Sequence, residues 1–163
     1  VGFDLDAIVP GLEQAQPVKG RCVWRQAGEV WILDDTYNAA SLESVRAAYA
    51  AVAARPHSGR LVVVMGDMLE LGDSAERTHR EVGREAAAIR ADVFVGMGRA
   101  SALAVDEARA AGVAETHATT TFEDTVAHLL KRIGAGDVVL VKGSRGMRME
   151  RVADALVARL TRT

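Results

Sequence analysis

The chain has 163 residues, of which 49% are hydrophobic and 26% charged, a balance typical of one globular domain. Its net charge of −2 gives no basic surplus for nucleic-acid binding, and no apolar run approaches the roughly 20 residues that span a membrane, so we expect neither partner. Cys22 is the sole cysteine, which excludes a disulfide within the chain and favours a reducing, cytoplasmic location.

The first 20 residues differ from the rest of the sequence. They contain two of the three prolines, Pro10 and Pro17, and little sustained periodicity. A short helix between Asp4 and Leu12 would be broken at Pro10, and residues 14–20 have the composition of a linker. Because the sequence starts at Val1 in mid-pattern, we expect residues 1–20 to be the tail of a preceding central domain and its hinge, and residues 21–163 to form the domain proper.

Strand and helix patterns alternate after residue 21. Strands are predicted at residues 22–26, 30–33, 61–65, 92–95, 115–118 and 138–141. Helices are predicted after the cap at Ser41, from about Ser74, near residues 101–111, after a capping-box-like segment at Thr121, and at the C-terminal end. Several strands are apolar along their whole length, so both of their faces must be covered. The sequence therefore predicts an α/β, Rossmann-like fold with a mostly parallel sheet flanked by helices on both faces.

Five polar residues follow the second predicted strand. They are Asp34, Asp35, Thr36, Tyr37 and Asn38. A carboxylate at a strand end can bind a ribose, as in dinucleotide sites, or a metal ion. The alternative is that one aspartate caps the following turn while Tyr37 packs locally.

A cationic, glycine-rich loop follows the last strand and contains Lys142, Gly143, Ser144, Arg145 and Gly146. Exposed backbone N–H groups near a helix start favour an anion, either a phosphate or a carboxylate. The spacing of glycine, lysine and serine is not that of a Walker A loop. A glycine-rich turn with solvated charges is the alternative.

Other candidates give weaker signals. Asp67 lies in an acidic loop that could position a ligand amine or be an ordinary connection. His79 lies on the apolar face of its helix, where a packed, hydrogen-bonded histidine is favoured over a ligand-binding one, whereas His128 is expected at the surface. Arg21 stands at the predicted hinge, where it is either solvated or able to reach a phosphate. No spacing of the HExxH or CxxC type indicates a metal site.

Three segments together resemble the C-terminal domain of the Mur ligase family. They are residues 34–39, residues 64–72 with His79 downstream, and residues 141–150, and their order and spacing agree with the family. Residues 17–21 also resemble the join between its central and C-terminal domains, so the resemblance covers nearly the whole chain.

The resemblance implies an ATP- and Mg²⁺-dependent ligase. Such an enzyme converts the carboxylate of UDP-N-acetylmuramoyl-tripeptide to an acyl phosphate, which the amine of D-alanyl-D-alanine attacks in peptidoglycan precursor synthesis. In the family, the ATP phosphate loop and the magnesium ligands belong to the central ATPase domain. This chain has no such loop, so we expect no catalytic residue, metal site or tightly bound cofactor in it and no ligation by the chain alone.

The resemblance also assigns site residues. Arg21 would contact an ATP phosphate and Asp35 the ribose, with Tyr37 and Asn38 nearby.

For the acceptor, we predict that Lys142, Ser144 and Arg145 hold the dipeptide carboxylate, since a carboxylate suits a cationic loop at a helix start. Asp67 and His79 are predicted to support these loops.

Two alternatives stay open. Folylpolyglutamate and cyanophycin ligases share this architecture and differ in substrate, and a non-catalytic Rossmann-like module would bind only a nucleotide or a partner. An ATP phosphate loop upstream of this chain would exclude the second alternative.

Overall fold

Strands and helices alternate along the chain in the computed structural model, which describes residue 9 and residues 18–161. The strands are β1 Val23–Ala27, β2 Val30–Asp35, β3 Leu61–Gly66, β4 Val93–Met97, β5 Glu115–Thr119 and β6 Val138–Lys142. The α-helices are α1 Leu42–Ala53, α2 Ala75–Ala88, α3 Ser101–Ala110, α4 Phe122–Leu130 and α5 Glu150–Leu160. Short 3-10 turns occur at Gly72–Ser74 and Arg145–Met147. Apart from residue 9, the predicted helix in the first 12 residues lies outside the described residues, and the domain boundary at residue 20 stays a prediction.

The caps that begin two of the helices lie where the sequence placed them. The Ser41 hydroxyl accepts a hydrogen bond from the Ser44 N–H at 3.3 Å, and the Thr121 hydroxyl accepts one from the Asp124 N–H at 3.1 Å. Each bond satisfies a backbone donor that has no partner inside the first helical turn.

The described strands form one six-stranded sheet in the order β1-β2-β6-β3-β4-β5. β1 pairs antiparallel with β2 as a hairpin, and all the other pairs are parallel. Gly28, with φ of 60°, lies in the hairpin turn, where this left-handed backbone conformation favours glycine. The predicted α/β fold with a mostly parallel sheet is confirmed.

Helices cover both faces of the sheet, as the apolar strands require. On one face, α1, α2 and α3 pack against a core that includes Leu33, Val63 and Phe94. On the other, α4 and α5 pack against Ile32 and Val139. Neighbouring residues of a strand point to opposite faces, so Ile32 and Leu33 lie in different cores. Full burial of each such side chain stabilises the folded state by about 2 kcal/mol.

The chain changes face between β2 and β6. β2 leads into α1 on one face of the sheet, whereas the adjacent β6 leads into α5 on the other face. The connection from β2 to α1 and the connection from β6 to α5 therefore diverge and leave a crevice at the carboxyl ends of β2 and β6. Open α/β sheets bind their ligands at such switch points.

Candidate functional site

A buried ion pair occupies this switch point. Asp35 ends β2 and Lys142 ends β6, and the two residues are opposite each other in the parallel register. The Lys142 ammonium donates to Asp35 Oδ2 at 2.5 Å and to the Asn38 carbonyl at 3.0 Å. The side chains are 2% and 13% exposed, respectively. Because a buried charge without a partner is strongly unfavourable, this pair fixes the Asp35 carboxylate and the start of the following loop.

The other oxygen of Asp35 binds the segment that enters the domain. Asp35 Oδ1 accepts the Cys22 backbone N–H at 3.0 Å, and Cys22 has a left-handed φ of 49°. Burial, together with the Asp35 carboxylate, raises the pKa of the Cys22 thiol above its ordinary value of 9.0. Sequence reasoning missed Cys22 as part of this site, because its contribution is a backbone donor.

Tyr37 lies between two arginines that are far apart in the sequence. The Arg21 guanidinium lies 3.9 Å and the Arg145 guanidinium 4.8 Å from the centroid of its ring. Both distances suit cation–π attraction. The Tyr37 N–H donates to the Gly20 carbonyl at 2.8 Å, which fixes the ring beside the entering segment.

A cleft of about 600 Å³ opens beside this ring. Its lining residues are Val18, Lys19, Gly20, Thr36, Tyr37, Arg145, Arg148 and Glu150. Of the predicted site residues, Tyr37 and Arg145 line this cationic cleft, whereas Arg21, Asp35, Asn38, Lys142 and Ser144 are not among its lining residues. Lys19, Arg148 and Glu150 were not among the predicted site residues, and only their place in the fold reveals them.

Ser144 joins the loop after β6 to the loop after β3. Its hydroxyl accepts the Leu69 N–H at 2.9 Å and donates to the Ala39 carbonyl at 3.4 Å, while its own N–H donates to the Asp67 carbonyl at 3.1 Å. Ser144 is 4% exposed and Lys142 1%, so the polar atoms of both already bond inside the protein. Arg145 is exposed. The predicted direct contact with a ligand carboxylate therefore suits Arg145 best, and Lys142 and Ser144 position the two loops.

Asp67 and His79 support the loop after β3. Asp67 Oδ1 accepts the N–H of Ser101, the first residue of α3, at 2.7 Å. His79 is buried; its Nε2 accepts the Met68 N–H at 3.0 Å and its Nδ1 donates to the Ala75 carbonyl at 2.7 Å. These bonds leave neither ring nitrogen of His79 free for a ligand. The histidine packs inside the protein and fixes the backbone of the loop.

Asp34 points to the opposite face of the sheet from Asp35, since the two residues are adjacent in a strand. It is buried, accepts the Thr36 hydroxyl at 2.6 Å, and forms an ion pair with Arg25 at 3.2 Å. Arg25 also binds Asp154 of α5 at 2.6 Å. Asp34 therefore links the β1–β2 hairpin to α5, whereas Asp35 binds Lys142 and the Cys22 N–H at the switch point.

A second histidine feature lies at the β5 edge. The rings of His117 and His128 stack with centroids 3.7 Å apart, and His128 is partly buried, although the sequence predicted a surface position. Burial and the neighbouring His117 lower the pKa of His128 to about 4.

Within residues 18–161, no group of three or more His, Cys, Asp or Glu side chains is placed to hold a metal ion. The same residues contain no helix with the length and apolarity to cross a membrane.

Comparison with known proteins identifies a family whose members match most of this chain. The profile of the family described as Mur ligase, glutamate ligase domain, matches residues 20–145. The chain is similar to the UDP-N-acetylmuramoyl-tripeptide–D-alanyl-D-alanine ligase of Escherichia coli, with 40% identity over 157 residues that cover 96% of this chain and 33% of the relative. The chain thus spans about a third of the length of the curated relatives it matches.

Solved structures agree with the fold. MurF from Acinetobacter baumannii superimposes with a TM-score of 0.80 and 32% identity, over 96% of this chain and 34% of that one. The MurF ligase from Thermotoga maritima, solved in complex with ADP, gives a TM-score of 0.76 and 26% identity, over 96% of this chain and 36% of that one.

Proposed function

Because the chain belongs to the Mur ligase family, we propose that it is the C-terminal domain of an ATP-dependent ligase that joins D-alanyl-D-alanine to UDP-N-acetylmuramoyl-tripeptide. The relatives that support this substrate pair are about three times longer than the chain. The activity is therefore proposed for the longer protein, located in the cytoplasm, in which this domain follows a central domain with the ATP phosphate loop.

The proposed reaction has two steps. A carboxylate oxygen of the tripeptide attacks the γ-phosphorus of ATP, and ADP leaves with the bridging oxygen. The amine of the dipeptide then attacks the acyl phosphate carbon, phosphate leaves, and the nitrogen loses a proton. From the family resemblance, we assign the Mg²⁺ ligands to the central domain. Closure of the present domain over the site would exclude water from the acyl phosphate.

The Asp35–Lys142 pair at the switch point is the observation that supports nucleotide binding most strongly. It holds a carboxylate at the sheet edge, where ribose hydroxyls are bound in related α/β sites. The Asp35 side chain is 13% exposed and each of its oxygens can accept a second hydrogen bond, so it can still bind a ribose hydroxyl. Arg21, held against Tyr37, has a fixed guanidinium for an ATP phosphate. The Asn38 backbone carbonyl accepts a hydrogen bond from the Lys142 ammonium and so helps to hold it beside Asp35. The MurF ligase from Thermotoga maritima was solved in complex with ADP, which supports a nucleotide ligand for the longer protein.

For the acceptor, Arg145 is the proposed carboxylate ligand. Its guanidinium is exposed, lies over Tyr37, and follows Ser144, which fixes the loop backbone. Lys142 contributes indirectly, because its ammonium binds Asp35. A bidentate Arg–carboxylate contact would orient the dipeptide so that its amine can reach the acyl phosphate.

Steady-state kinetics of the full-length protein test both assignments. We expect Asp35→Asn to raise the KM for ATP and Arg145→Ala to raise the KM for D-alanyl-D-alanine, each by about 10-fold or more, the factor for one charge-assisted bond. Asp73→Asn, which changes an exposed carboxylate in another loop, is the matched control. Equal dipeptide KM values for Arg145→Ala and the control would remove the acceptor assignment.

Acceptor choice and domain content test the function itself. Transfer of D-alanyl-D-alanine supports the proposal, whereas exclusive use of glutamate or of another amine would favour a folylpolyglutamate or cyanophycin type of ligase. Absence of an ATP phosphate loop upstream would favour a non-catalytic nucleotide- or partner-binding module. The chain by itself is expected to be inactive, and measurable ligation by residues 1–163 would contradict this.

A further inference from the structure

The cleft that Arg145 lines also contains a carboxylate to which the proposed function gives no role. Its charged lining residues are Lys19, Arg145, Arg148 and Glu150. Lys19 forms an ion pair with Asp154 at 3.4 Å, and the Arg148 guanidinium lies 3.9 Å from Glu150. In the part of the chain that the structure describes, Arg145 has no ion pair, so its charge is open to an anionic ligand.

A tight turn connects Arg145 to Glu150. The Arg148 N–H donates to the Arg145 carbonyl at 3.1 Å, and Arg148 has a left-handed φ of 53°. Such a conformation is unfavourable for a residue with a side chain, by about 1 kcal/mol or more, and is found most often at functional sites. The turn ends where Glu150 begins α5, and the residues at both of its ends line the one cleft.

The Glu150 carboxylate is available to a ligand. Its side chain is 37% exposed and that of Arg148 is 69% exposed, so their contact at 3.9 Å is a weak surface ion pair. The N-terminus of α5 stabilises a negative charge at this position. A carboxylate has two oxygens and accepts several hydrogen bonds, so Glu150 can bind a cationic group in the cleft while it stays near Arg148.

The cleft also contains exposed apolar surface. Val18 and Tyr37 line it, and they are 56% and 36% exposed. A guanidinium, a carboxylate and two apolar side chains therefore surround one space of about 600 Å³, a volume typical of small-molecule sites. The guanidinium suits an anion, whereas the carboxylate requires that the same ligand also has a positive group.

A dipeptide of two alanines has the complementary groups, which are a terminal carboxylate, a terminal ammonium and two methyl groups. We propose that Glu150 binds the terminal ammonium of the acceptor dipeptide in the cleft where Arg145 binds its carboxylate. This inference rests on the proposed function and adds the residue that recognises the amine end of the acceptor. A phosphate group has no positive end, so the Glu150 carboxylate also disfavours it in this cleft.

The test uses the full-length enzyme and propionyl-D-alanine as a competitive inhibitor. This analogue keeps the carboxylate and the carbon skeleton of D-alanyl-D-alanine but has no amine. Because a hydrogen bond between charged groups contributes about 10-fold or more in affinity, the Ki of the analogue should exceed the dipeptide KM by about that factor in the wild type.

Two substitutions should separate the two ends of the dipeptide. Glu150→Gln should raise the dipeptide KM by about 10-fold but leave kcat and the Ki of propionyl-D-alanine unchanged, since the contact is made to the ammonium of the bound substrate. Arg145→Ala should raise both the dipeptide KM and the Ki of the analogue, because both molecules have the carboxylate.

Glu123→Gln is the matched control. Glu123 also lies in the first turn of its helix, and its carboxylate is 3.9 Å from the guanidinium of Arg151. This substitution therefore removes the same favourable charge at a helix N-terminus, at a residue that does not line the Arg145 cleft. It should leave both the dipeptide KM and the Ki of propionyl-D-alanine at their wild-type values.

The outcomes distinguish the inference from the function on which it rests. If the wild-type enzyme ligates no dipeptide, the proposed function fails. If it ligates D-alanyl-D-alanine but Glu150→Gln keeps the wild-type dipeptide KM, the inference fails and the function stands. If Glu150→Gln raises the dipeptide KM and the Ki of the analogue equally, Glu150 shapes the cleft without binding the ammonium, which also overturns the inference.

Discussion

Replacement of Lys142 by methionine tests the buried ion pair most directly. Methionine keeps the unbranched shape and approximate volume of the lysine stem but removes the ammonium. Asp35 would then lose its donor at 2.5 Å, and the Asn38 carbonyl would lose its donor at 3.0 Å. Asp35 would keep the Cys22 N–H and its 13% exposure to water.

The expected loss of stability depends on the Asp35 carboxylate, which stays buried without its cation. Removing one partner of a buried pair typically destabilises a protein by about 3–5 kcal/mol, because the remaining charge is uncompensated. The Cys22 bond and the partial exposure of Asp35 place this site at the lower end, at about 3 kcal/mol. For a domain of this size each kcal/mol corresponds to about 2–4 °C in Tm, so we expect a decrease of about 6–12 °C.

Urea and thermal unfolding, followed by circular dichroism, measure this difference. Lys131→Met, the same substitution at an exposed lysine, is the matched control and should change stability by less than about 0.5 kcal/mol. A loss below about 1 kcal/mol for Lys142→Met would refute the argument, since it would show that Asp35 does not depend on the ammonium.

Three further predictions concern other parts of the chain. The pKa of His128 is lowered from 6.5 to about 4, so the unfolded chain binds more protons than the folded chain between these pH values. The free energy of unfolding should therefore fall as the pH falls from 6.5 to 4. His128→Gln should make this pH dependence weaker, as measured by urea midpoints across the same range. The pH profile of Cys22 alkylation should have its midpoint above 9.0, because burial and the Asp35 carboxylate raise the pKa of the thiol. Gly83→Ala should destabilise the chain by about 3 kcal/mol in urea unfolding, since its Cβ would lie against the Ala104 carbonyl where α2 and α3 cross.

Two of these predictions have a control variant in the same chain, and the third has an outcome that would refute it. His57→Gln alters an exposed histidine and should leave the pH slope intact. A Cys22 midpoint at or below 9.0 would show that burial and the Asp35 carboxylate do not together raise the pKa of the thiol. Gly134→Ala places a Cβ in open space, so a loss equal to that of Gly83→Ala would exclude a steric cause.

The elements of the fold were predictable because their signals are local. The run of apolar residues at Leu61–Gly66 is a buried strand in any α/β context, and the caps at Ser41 and Thr121 need only the next three residues. The order of the strands in the sheet cannot be predicted from such local signals. The insertion of β6 between β2 and β3 depends on which apolar strands pair across more than 70 residues of sequence, and several strands of similar composition fit such a position.

The loops of the site were predictable, but their internal contacts were not. Sequence placed Asp35 and Lys142 at one sheet edge, yet their bond joins residues 107 positions apart and needs the register of β2 against β6. Nor does sequence show that the Ser144 hydroxyl is occupied by the Leu69 N–H. Residue types predict which chemistry is present, whereas burial decides which groups stay free to bind a ligand. That difference supports the proposed positioning role of Lys142 and the proposed ligand contact of the exposed Arg145.

A neutral version of the ion pair separates its role in the fold from its role in the site. Buried pairs can often be replaced by neutral groups of similar shape without loss of stability, so Asp35→Asn combined with Lys142→Met should be within about 1 kcal/mol of the wild type and more stable than Lys142→Met alone. If the carboxylate of Asp35 binds the ribose, the double variant of the full-length enzyme should still have a KM for ATP raised by about 10-fold. A stable double variant with an unchanged KM for ATP would mean that the Asp35 carboxylate does not bind the ribose. A stable variant that binds ATP weakly would show that the buried charges are kept for the ligand, since the fold does not need them.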